Sequence, residues 1–388
     1  MHKIGVYYSF PAGGIGRYNQ KWLECLAQDG DLDLEFICLP EFAWELKAGC
    51  RRWSGLFSIS SQVPTLRRTR FLIGQFVNPL RAIARLRQTN ARLIHFTDVN
   101  HLSFPFWKAA LDSSGMKVVI SAHDICRAVA VVHRAYEESQ LRAIYRRADA
   151  IQVHAVAQAD ELVEFAGVSR ERVHVVPHGP YDYGAPRTDR NTVRERLGIG
   201  RHELLGLCFG QLRDDKNLSG LLRAMAMPGV SSRLVVSGAA SSHHRGAAAY
   251  EAEARGLGIA DRVVFDERFI PDEEVAEIIS AADWIGLPYP SAFTSQSGVL
   301  NLAAQYRRPV LVGAAPALGE SVRCHDIGAA AVDNSDKALH KSLLQLETRL
   351  LNDDPQAFGF GAFVAENTWE ENARRTAKLY RNLLDGGA

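Results

Sequence analysis

The sequence lacks the features of a disulfide-bonded or membrane-spanning protein. Its six cysteines are widely spaced and form no Cys-x-x-Cys pair, which predicts reduced thiols. No apolar run approaches the roughly 20 residues that a membrane-spanning helix needs. The opening MHKIGVYYSF enters a predicted strand at once, without the apolar stretch of a signal peptide. We therefore expect a cytoplasmic protein.

An excess of one charge is also missing. The 45 Lys and Arg residues nearly cancel the 44 Asp and Glu residues, which argues against a surface built throughout to bind nucleic acid. With 47% hydrophobic and 23% charged residues, the composition is typical of folded globular domains. A chain of 388 residues exceeds what one hydrophobic core usually serves, so we predict two domains.

Short β-branched and aromatic runs alternate with segments of helical periodicity, a pattern typical of parallel sheets covered by helices. Six such runs precede the Pro-, Gly- and Asp-rich stretch 177–191, and five follow it. We therefore predict an α/β protein in which two doubly wound, Rossmann-like domains face a cleft. The predicted domains are 1–182 and 183–366.

Loops that follow strands are where such sheets bind ligands. The first candidate loop, 10–18, contains Gly13, Gly14 and Gly16 directly before a predicted helix. Glycines allow the backbone to approach a ligand closely, and a helix N-terminus favours an anion. A tight turn without any ligand explains this loop equally well.

The second candidate loop, 209–217, places Arg213 and Lys216 three residues apart at a predicted helix start. Side-chain cations and free backbone N–H groups can converge there on phosphate oxygens. The alternative is a capped helix in which Asp214 and Asp215 neutralise the same two cations.

The third candidate loop, 288–300, follows a predicted strand and enters an apolar helix. Hydroxyls, an amide and a bare backbone stand at that helix start, which suits a diphosphate better than a single serine N-cap would require. The residues concerned are Thr294, Ser295, Gln296, Ser297 and Gly298.

The segment from Leu46 to Thr97 contains no acidic residue but ten basic ones, the first being Lys47 and the last Arg92. Apolar side chains such as Phe71 and Phe76 are interleaved with them. This mixture fits anionic lipid headgroups or a lipid-linked diphosphate. A helix pair that packs its apolar face on the sheet and leaves the arginines solvated fits it equally well.

The motifs GGIGRY, SAHD, VVPHG, FGQLRDDKN, IPDEEVAEIISAADWIGLPY and RRPVLV occur in an order that resembles the retaining glycosyltransferases of the GT-B fold known as family 4. The resemblance covers nearly the whole chain. It implies that Arg213 and Lys216 bind the diphosphate of a nucleotide-sugar donor and that His123 lies near the donor sugar. It also implies that the helical ending 367–388 packs back on the first domain.

The same resemblance implies further donor-binding residues. Its glycine-rich first loop corresponds to Gly13, Gly14 and Gly16, and its phosphate-binding amides correspond to Gly298, Val299 and Leu300. The chain departs from the family at two positions eight residues apart, where Thr294 and Leu302 replace two glutamates. Gln296 and Ser297 are the predicted substitutes.

These observations predict a retaining, metal-independent hexosyltransferase that uses no cofactor. We expect it to move sugar from a UDP- or GDP-linked donor to a saccharide acceptor, lipid-linked at the inner membrane face through residues 47–92, in surface polysaccharide or glycoconjugate synthesis. No nucleic-acid partner is expected. His154, His243 and His244 show no metal-ligand spacing and are assigned no site.

Two alternatives stay open. The missing glutamates suit a non-catalytic module that binds nucleotide sugars, and a nucleotide-sugar epimerase or a phosphorylase could use the same fold.

Overall fold

The computed structural model describes residues 1–11, 14–46, 49–126, 130, 132–241, 244–352 and 358–386. The chain forms two compact units, the first comprising Met1–Gly179 with Thr368–Ala388 and the second Pro180–Asn367. The chain leaves the first unit within the Pro- and Gly-rich stretch 177–191. The boundaries expected from sequence were 182/183 and 366/367.

The first unit is built on a seven-stranded parallel sheet of order β3-β2-β1-β4-β5-β6-β7. The strands are β1 (His2–Tyr7), β2 (Leu32–Ile37), β3 (Cys50–Trp53), β4 (Leu93–Phe96), β5 (Lys117–Ser121), β6 (Ala150–Val153) and β7 (Val173–Val175). The helices are α1 (Gly14–Leu26), α2 (Pro64–Gln88), α3 (Phe104–Asp112), α4 (Arg134–Arg147), α5 (Val156–Ala166) and, from the chain end, α14 (Trp369–Asp385). The central strands are buried on both faces, as helical crossovers require.

The second unit is built on a six-stranded parallel sheet of order β10-β9-β8-β11-β12-β13. Its strands are β8 (Leu205–Phe209), β9 (Arg233–Ser237), β10 (Val263–Asp266), β11 (Trp284–Leu287), β12 (Val310–Val312) and β13 (Gly328–Ala330). Its helices are α6 (Arg190–Arg196), α7 (Leu218–Ala226), α8 (Ala247–Gly256), α9 (Asp272–Ala281), α10 (Gly298–Gln305), α11 (Pro316–His325), α12 (Asp336–Asn352) and α13 (Phe360–Glu366). The predicted pair of doubly wound α/β domains is confirmed.

The terminal helix α14 is part of the first unit and packs against α1. Its N-cap Thr368 accepts a hydrogen bond from the Glu371 amide at 3.0 Å. Asn372 donates to the Tyr18 hydroxyl at 2.9 Å, and Tyr380 lies 2.5 Å from Nδ1 of the buried His95. Buried polar groups must be paired, so these contacts fix where the helix sits on the sheet.

The basic segment is not a pair of helices, but the rest of that interpretation is confirmed for its one helix. Ile83 and Leu86 pack in the hydrophobic core, and the exposed arginines are Arg67, Arg68, Arg81 and Arg87. The segment contains the edge strand β3 and one 25-residue helix, α2, while Lys47 lies outside the described residues. Several of its arginines are held by local acceptors. Arg51 pairs with Asp33 at 2.8 Å, and Arg85 pairs with the buried Glu35 at 2.6 Å. No helix among the described residues is long and apolar enough to span a bilayer.

Candidate donor-binding site and histidine cluster

Close backbone contacts and positive φ angles restrict the path of the second candidate loop after β8. Gly210 (φ 96°) begins it, and Asn217 (φ 58°) ends it in the left-handed region before α7. A β-carbon at Gly238 (φ 149°), directly after β9, would overlap the Gly210 carbonyl oxygen. Only glycine fits this contact, so the ends of β8 and β9 fix the path of the loop.

Lys216 lies in the 3-10 turn Asp214–Lys216 that precedes α7. Its ammonium nitrogen is 5.9 Å from the ring centroid of Tyr289, beside a small cavity of about 30 Å³. Burial, with a smaller contribution from the nearby Arg213 charge, lowers the pKa of Lys216 to about 8. Among the described residues no carboxylate forms an ion pair with it. The site therefore favours an incoming anion.

The two aspartates of this loop have different partners. Asp215 accepts from Arg213 at 2.9 and 2.6 Å, a two-pronged pair that neutralises this arginine. Asp214 instead accepts from Arg245 at 2.7 Å and from the Tyr250 hydroxyl at 2.9 Å. The Arg245 hydrogen bond is the main reason why the pKa of Asp214 falls to about 2. The alternative in which both aspartates neutralise both cations is therefore correct for Arg213 and wrong for Lys216.

The third candidate loop is tied to the second. The Asn217 side chain does not cap α7 and donates instead to the Pro288 carbonyl oxygen at 3.1 Å. Burial raises the pKa of Tyr289, and the side chain of the buried Ser297 partly offsets this rise. Because β8 and β11 are adjacent in the sheet, both loops meet at the same edge. Lys216 and the start of α10 thus belong to one site.

At the start of α10 the three predicted amide donors are not equivalent. The Leu300 amide donates to the Ser297 carbonyl oxygen at 3.0 Å, and its side chain is buried. Helix geometry leaves the amides of Gly298 and Val299 without an intrahelical acceptor. A β-carbon at Gly298 would lie 3.3 Å from the Tyr181 ring, so a larger residue would require that ring to shift by a few tenths of an ångström. Gln296 is partly exposed next to this turn.

The positions that lack the family glutamates differ in surroundings. Thr294 is partly exposed in the third loop, whereas Leu302 is part of the hydrophobic core of the second unit. Leu302 therefore cannot take over the polar contact of a glutamate.

The glycines of the first candidate loop differ in their surroundings. Gly13 lies outside the described residues. A β-carbon at Gly14 would meet nothing within 4 Å, whereas one at Gly16 would overlap the Trp44 ring. The Tyr8 hydroxyl also hydrogen-bonds the Gly16 backbone. Packing against Trp44 thus explains the glycine at 16 without any ligand.

His123 follows β5 and belongs to a cluster of aromatic and histidine rings. Its Nδ1 lies 2.9 Å from Nε2 of His154, which directly follows β6. The Tyr18 ring packs edge-on against His123 with a centroid distance of 4.7 Å. Burial is the main cause that lowers the pKa of His154 to about 3, that of His178 to about 4 and that of His123 well below its usual value. All three rings are neutral at pH 7.

His154 was assigned no site from the sequence, and Arg245 and Tyr250 were not expected as supports of the second loop. His123 and His154 are 31 residues apart in sequence, but each comes at the carboxyl end of one of two neighbouring parallel strands. The pairing of strand ends was the signal that could have found His154. No comparable signal connects Asp214 with α8.

Residues 13–179 match the family model described as a glycosyl transferase 4-like domain. A D-inositol 3-phosphate glycosyltransferase from Corynebacterium diphtheriae is 29% identical over 69% of this chain and 66% of its own length. The corresponding protein of Nocardia farcinica is 30% identical over 46% of this chain and 41% of its own length. The matches thus span less than two thirds of these curated relatives.

Solved structures share the fold across the whole chain. The sucrose-phosphate synthase of Thermosynechococcus elongatus has a TM-score of 0.77 at 19% identity, with 100% of both chains covered. Anabaena HepE in complex with UDP has a TM-score of 0.71 at 16% identity, covering 98% of this chain and 100% of HepE. The architecture is the GT-B fold. The match over residues 13–179 and these relatives support the resemblance to the family-4 glycosyltransferases that the motifs indicated.

Proposed function

We propose that this protein is a retaining glycosyltransferase that transfers sugar from a nucleotide diphosphate donor, UDP- or GDP-linked, to a saccharide acceptor. The observation that carries the proposal is Lys216, a partly buried ammonium without a carboxylate partner among the described residues, at the sheet edge where α10 begins. A partly desolvated cation in this state is stabilised by an anionic ligand. HepE was solved with UDP and with UDP-glucose, which makes UDP the first nucleotide to test.

In this proposal the protein acts by positioning and by charge. Lys216 and the amides of Gly298 and Val299 stabilise negative charge on the departing diphosphate. Arg213 contributes once phosphate competes with Asp215 for its guanidinium. His123 contacts the sugar, and the acceptor hydroxyl attacks on the face that the diphosphate leaves. We assign no metal ion and no cofactor to the reaction.

The test is a thermal-shift screen against UDP, GDP, ADP, TDP and CMP. A ligand that binds only the folded state raises the melting temperature. We expect a rise with one diphosphate, which Lys216→Ala abolishes and Arg213→Ala reduces. Lys337→Ala, which removes an exposed lysine of α12, is the matched control and should keep the full rise. No rise with any nucleotide would sink the proposal.

The buried Leu302 favours a second candidate, a module that binds nucleotide sugars without turnover, because a polar donor contact is missing there. The candidates differ in product. A binding module leaves the donor intact, an epimerase converts it without an acceptor, and a transferase releases nucleotide with an acceptor or slowly with water. Chromatography of UDP-glucose after incubation with the protein separates these outcomes.

For the acceptor we propose a lipid-linked saccharide presented at an anionic membrane surface in glycoconjugate synthesis. The supporting observation is α2, whose exposed apolar side chains are Leu66, Leu72, Ile73, Phe76 and Leu80. Arg67 and Arg68 are exposed on the same helix, and a cationic, apolar surface suits anionic headgroups. The relatives named above act on D-inositol 3-phosphate by name, which is also an anionic acceptor.

Liposome flotation at low salt tests this surface. We expect binding to vesicles that contain phosphatidylglycerol and weak binding to phosphatidylcholine vesicles. Leu72→Ser with Phe76→Ser should abolish flotation. Arg142→Ser is a control on α4, where the arginine packs over Phe165. Equal flotation of the double variant and the wild type would contradict the membrane proposal.

A further inference from the structure

The hydrogen bond between His154 and His123 fixes which ring nitrogens carry hydrogen. We propose that His154 is a positioning residue that holds His123 in one neutral tautomer, protonated on Nδ1, so that Nε2 accepts a hydrogen bond from a hydroxyl of the bound sugar. The tautomer follows from geometry alone, and the identity of the ligand rests on the proposed function.

The His154 ring has a defined tautomer. Its Nδ1 lies 3.1 Å from the Val176 carbonyl oxygen, which can only accept, so Nδ1 must carry the hydrogen. The residue is 6% exposed, and burial lowers the pKa of its ring to about 3. His154 is therefore neutral, and a neutral imidazole has only one N–H. Its Nε2 is left as an acceptor.

The tautomer of His154 determines the tautomer of His123. The 2.9 Å contact between His154 Nε2 and His123 Nδ1 needs one hydrogen, and His154 Nε2 has none to give. His123 Nδ1 must donate it. Since burial also keeps the His123 ring neutral, by lowering its pKa, His123 Nε2 has a free lone pair. That atom is shielded from solvent and has no hydrogen-bond partner among the described residues.

A third residue keeps the two histidines in place. The buried Gln158 accepts from the His154 amide at 2.9 Å and donates to the His123 carbonyl oxygen at 3.1 Å. It thereby joins the ends of β5 and β6. The Tyr18 ring, packed edge-on against His123, restricts rotation of the imidazole. The lone pair on Nε2 therefore has a fixed direction.

An unpaired buried acceptor is unfavourable until a donor arrives. A sugar hydroxyl supplies one, whereas a carboxylate oxygen or a methyl group at the same place does not. The tautomer set by His154 thus favours a ligand group that can donate, such as a sugar hydroxyl, over a group that can only accept. Reversal of the tautomer would present an N–H in place of the lone pair.

Nitrogen-15 NMR of the full-length protein labelled at histidine tests the tautomer at pH 7.5 without any ligand, and the spectrum of His123→Gln identifies the His123 signals. We expect His123 protonated on Nδ1 in the wild type. His154→Leu removes the acceptor and should move the hydrogen to Nε2, and His154→Gln, whose amide oxygen can accept, should restore Nδ1. A wild-type His123 protonated on Nε2, or an unchanged tautomer in His154→Leu, would overturn the proposal.

His178→Phe is the matched control, since it changes a ring of the same cluster that packs on Tyr18 and Trp369. It should leave the tautomer of His123 unchanged. If His154→Leu fails to fold, the spectra of the wild type and of His154→Gln still decide the tautomer.

Titration with UDP and UDP-glucose tests the ligand step. We expect saturating UDP-glucose to shift the His123 Nε2 signal, because a sugar hydroxyl donates to that lone pair, and we expect UDP to leave the signal unchanged. An Nε2 signal that UDP-glucose does not shift would overturn the hydroxyl contact. If neither nucleotide binds the wild type, the proposed function fails while the NMR result still decides the tautomer.

Discussion

The two candidate binding regions of this protein differ in charge: one is positively charged and the other is neutral. In the second unit, Lys216 presents positive charge after the end of β8 while Asp215 neutralises Arg213, and in the first unit His123 and His154 are neutral rings after the ends of β5 and β6. Both regions occupy the carboxyl edge of a parallel sheet. The same fold position therefore carries a cation in one unit and neutral rings in the other, because Lys216 keeps its proton below a pKa of about 8 while burial keeps the histidines neutral.

The largest expected difference between the two units is in how their stability changes at acidic pH. Burial lowers the pKa of both His95 and His154 to about 3, so between pH 6.5 and 3 the unfolded chain binds more protons than the folded one. Stability of the first unit then falls with pH by about 1.4 kcal/mol per pH unit for each ring. In the second unit the lowered pKa of Asp214 acts only below its ordinary value of 3.8.

Hydrogen exchange measured by mass spectrometry at pH 7.5, 6 and 5 tests this difference. Peptides of β4 to β6 should lose protection before peptides of β8 to β11. His154→Gln removes one titrating ring and should reduce the pH dependence of the first unit. Loss of protection at the same pH in both units would break the comparison.

Nucleotide affinity should show the next largest effect, in the second unit. Loss of the Lys216 ammonium in Lys216→Met should weaken UDP binding by about 2–3 kcal/mol, roughly 30- to 150-fold. The pKa of about 8 predicts that wild-type affinity is highest below pH 8 and falls above it, as the lysine loses its proton. Calorimetric titrations from pH 7 to 9.5 measure this dependence. A variant Lys216→Met that keeps the same pH dependence would contradict this role of the lysine.

Without ligand the same lysine has the opposite effect on stability. The folded pKa of about 8 lies below the ordinary value of 10.5, so the unfolded chain binds more protons between these pH values. Stability of the ligand-free second unit should therefore rise between about pH 8 and 9 while affinity for UDP falls. Above pH 9 the Cys208 thiol, whose pKa burial raises from 9.0 to about 12, offsets the lysine. The first unit has no reason to follow this pattern.

More of the charged region than of the neutral region could be predicted from the sequence. Arg213 and Lys216 are close in sequence and precede a helix, so their meeting is a local property. The contact of His123 with His154 depends on the order of strands in the sheet, which the sequence pattern did not establish. The strand β13 was missed because Gly328, Ala329 and Ala330 carry no β-branched or aromatic side chain.

The basic segment shows a second limit of the sequence pattern. Its charges predict an anionic partner, but the pattern cannot reveal that Arg85 is paired with a buried Glu35 from β2. Likewise, a glycine-rich loop predicts ligand contact equally at Gly14 and Gly16, whereas only tertiary packing shows Trp44 against the second.

Backbone crowding beneath the charged loop predicts a moderate effect. Gly238→Ala places a β-carbon against the Gly210 carbonyl oxygen at a positive φ, which should destabilise the second unit by about 2–3 kcal/mol and weaken UDP binding. Urea unfolding and calorimetry measure both effects. Gly256→Ala, at the end of α8 with nothing within 4 Å of the new carbon, is the control and should be neutral or slightly stabilising. Equal stability of the two variants would show that the loop path is not set by this contact.

The smallest effect concerns the support of the charged loop by α8. Tyr250→Phe removes one of the hydrogen bonds to Asp214 while Arg245 keeps its own, so we expect a loss of about 1 kcal/mol in stability. Because Asp214 begins the turn that contains Lys216, UDP affinity should fall only a few-fold. Tyr136→Phe removes a comparable hydroxyl contact, to the Leu102 carbonyl oxygen in the first unit, and should leave UDP affinity unchanged. If both variants weaken UDP binding equally, the effect comes from a general loss of stability and not from the loop. The two units would then be less independent than the difference in their charges suggests.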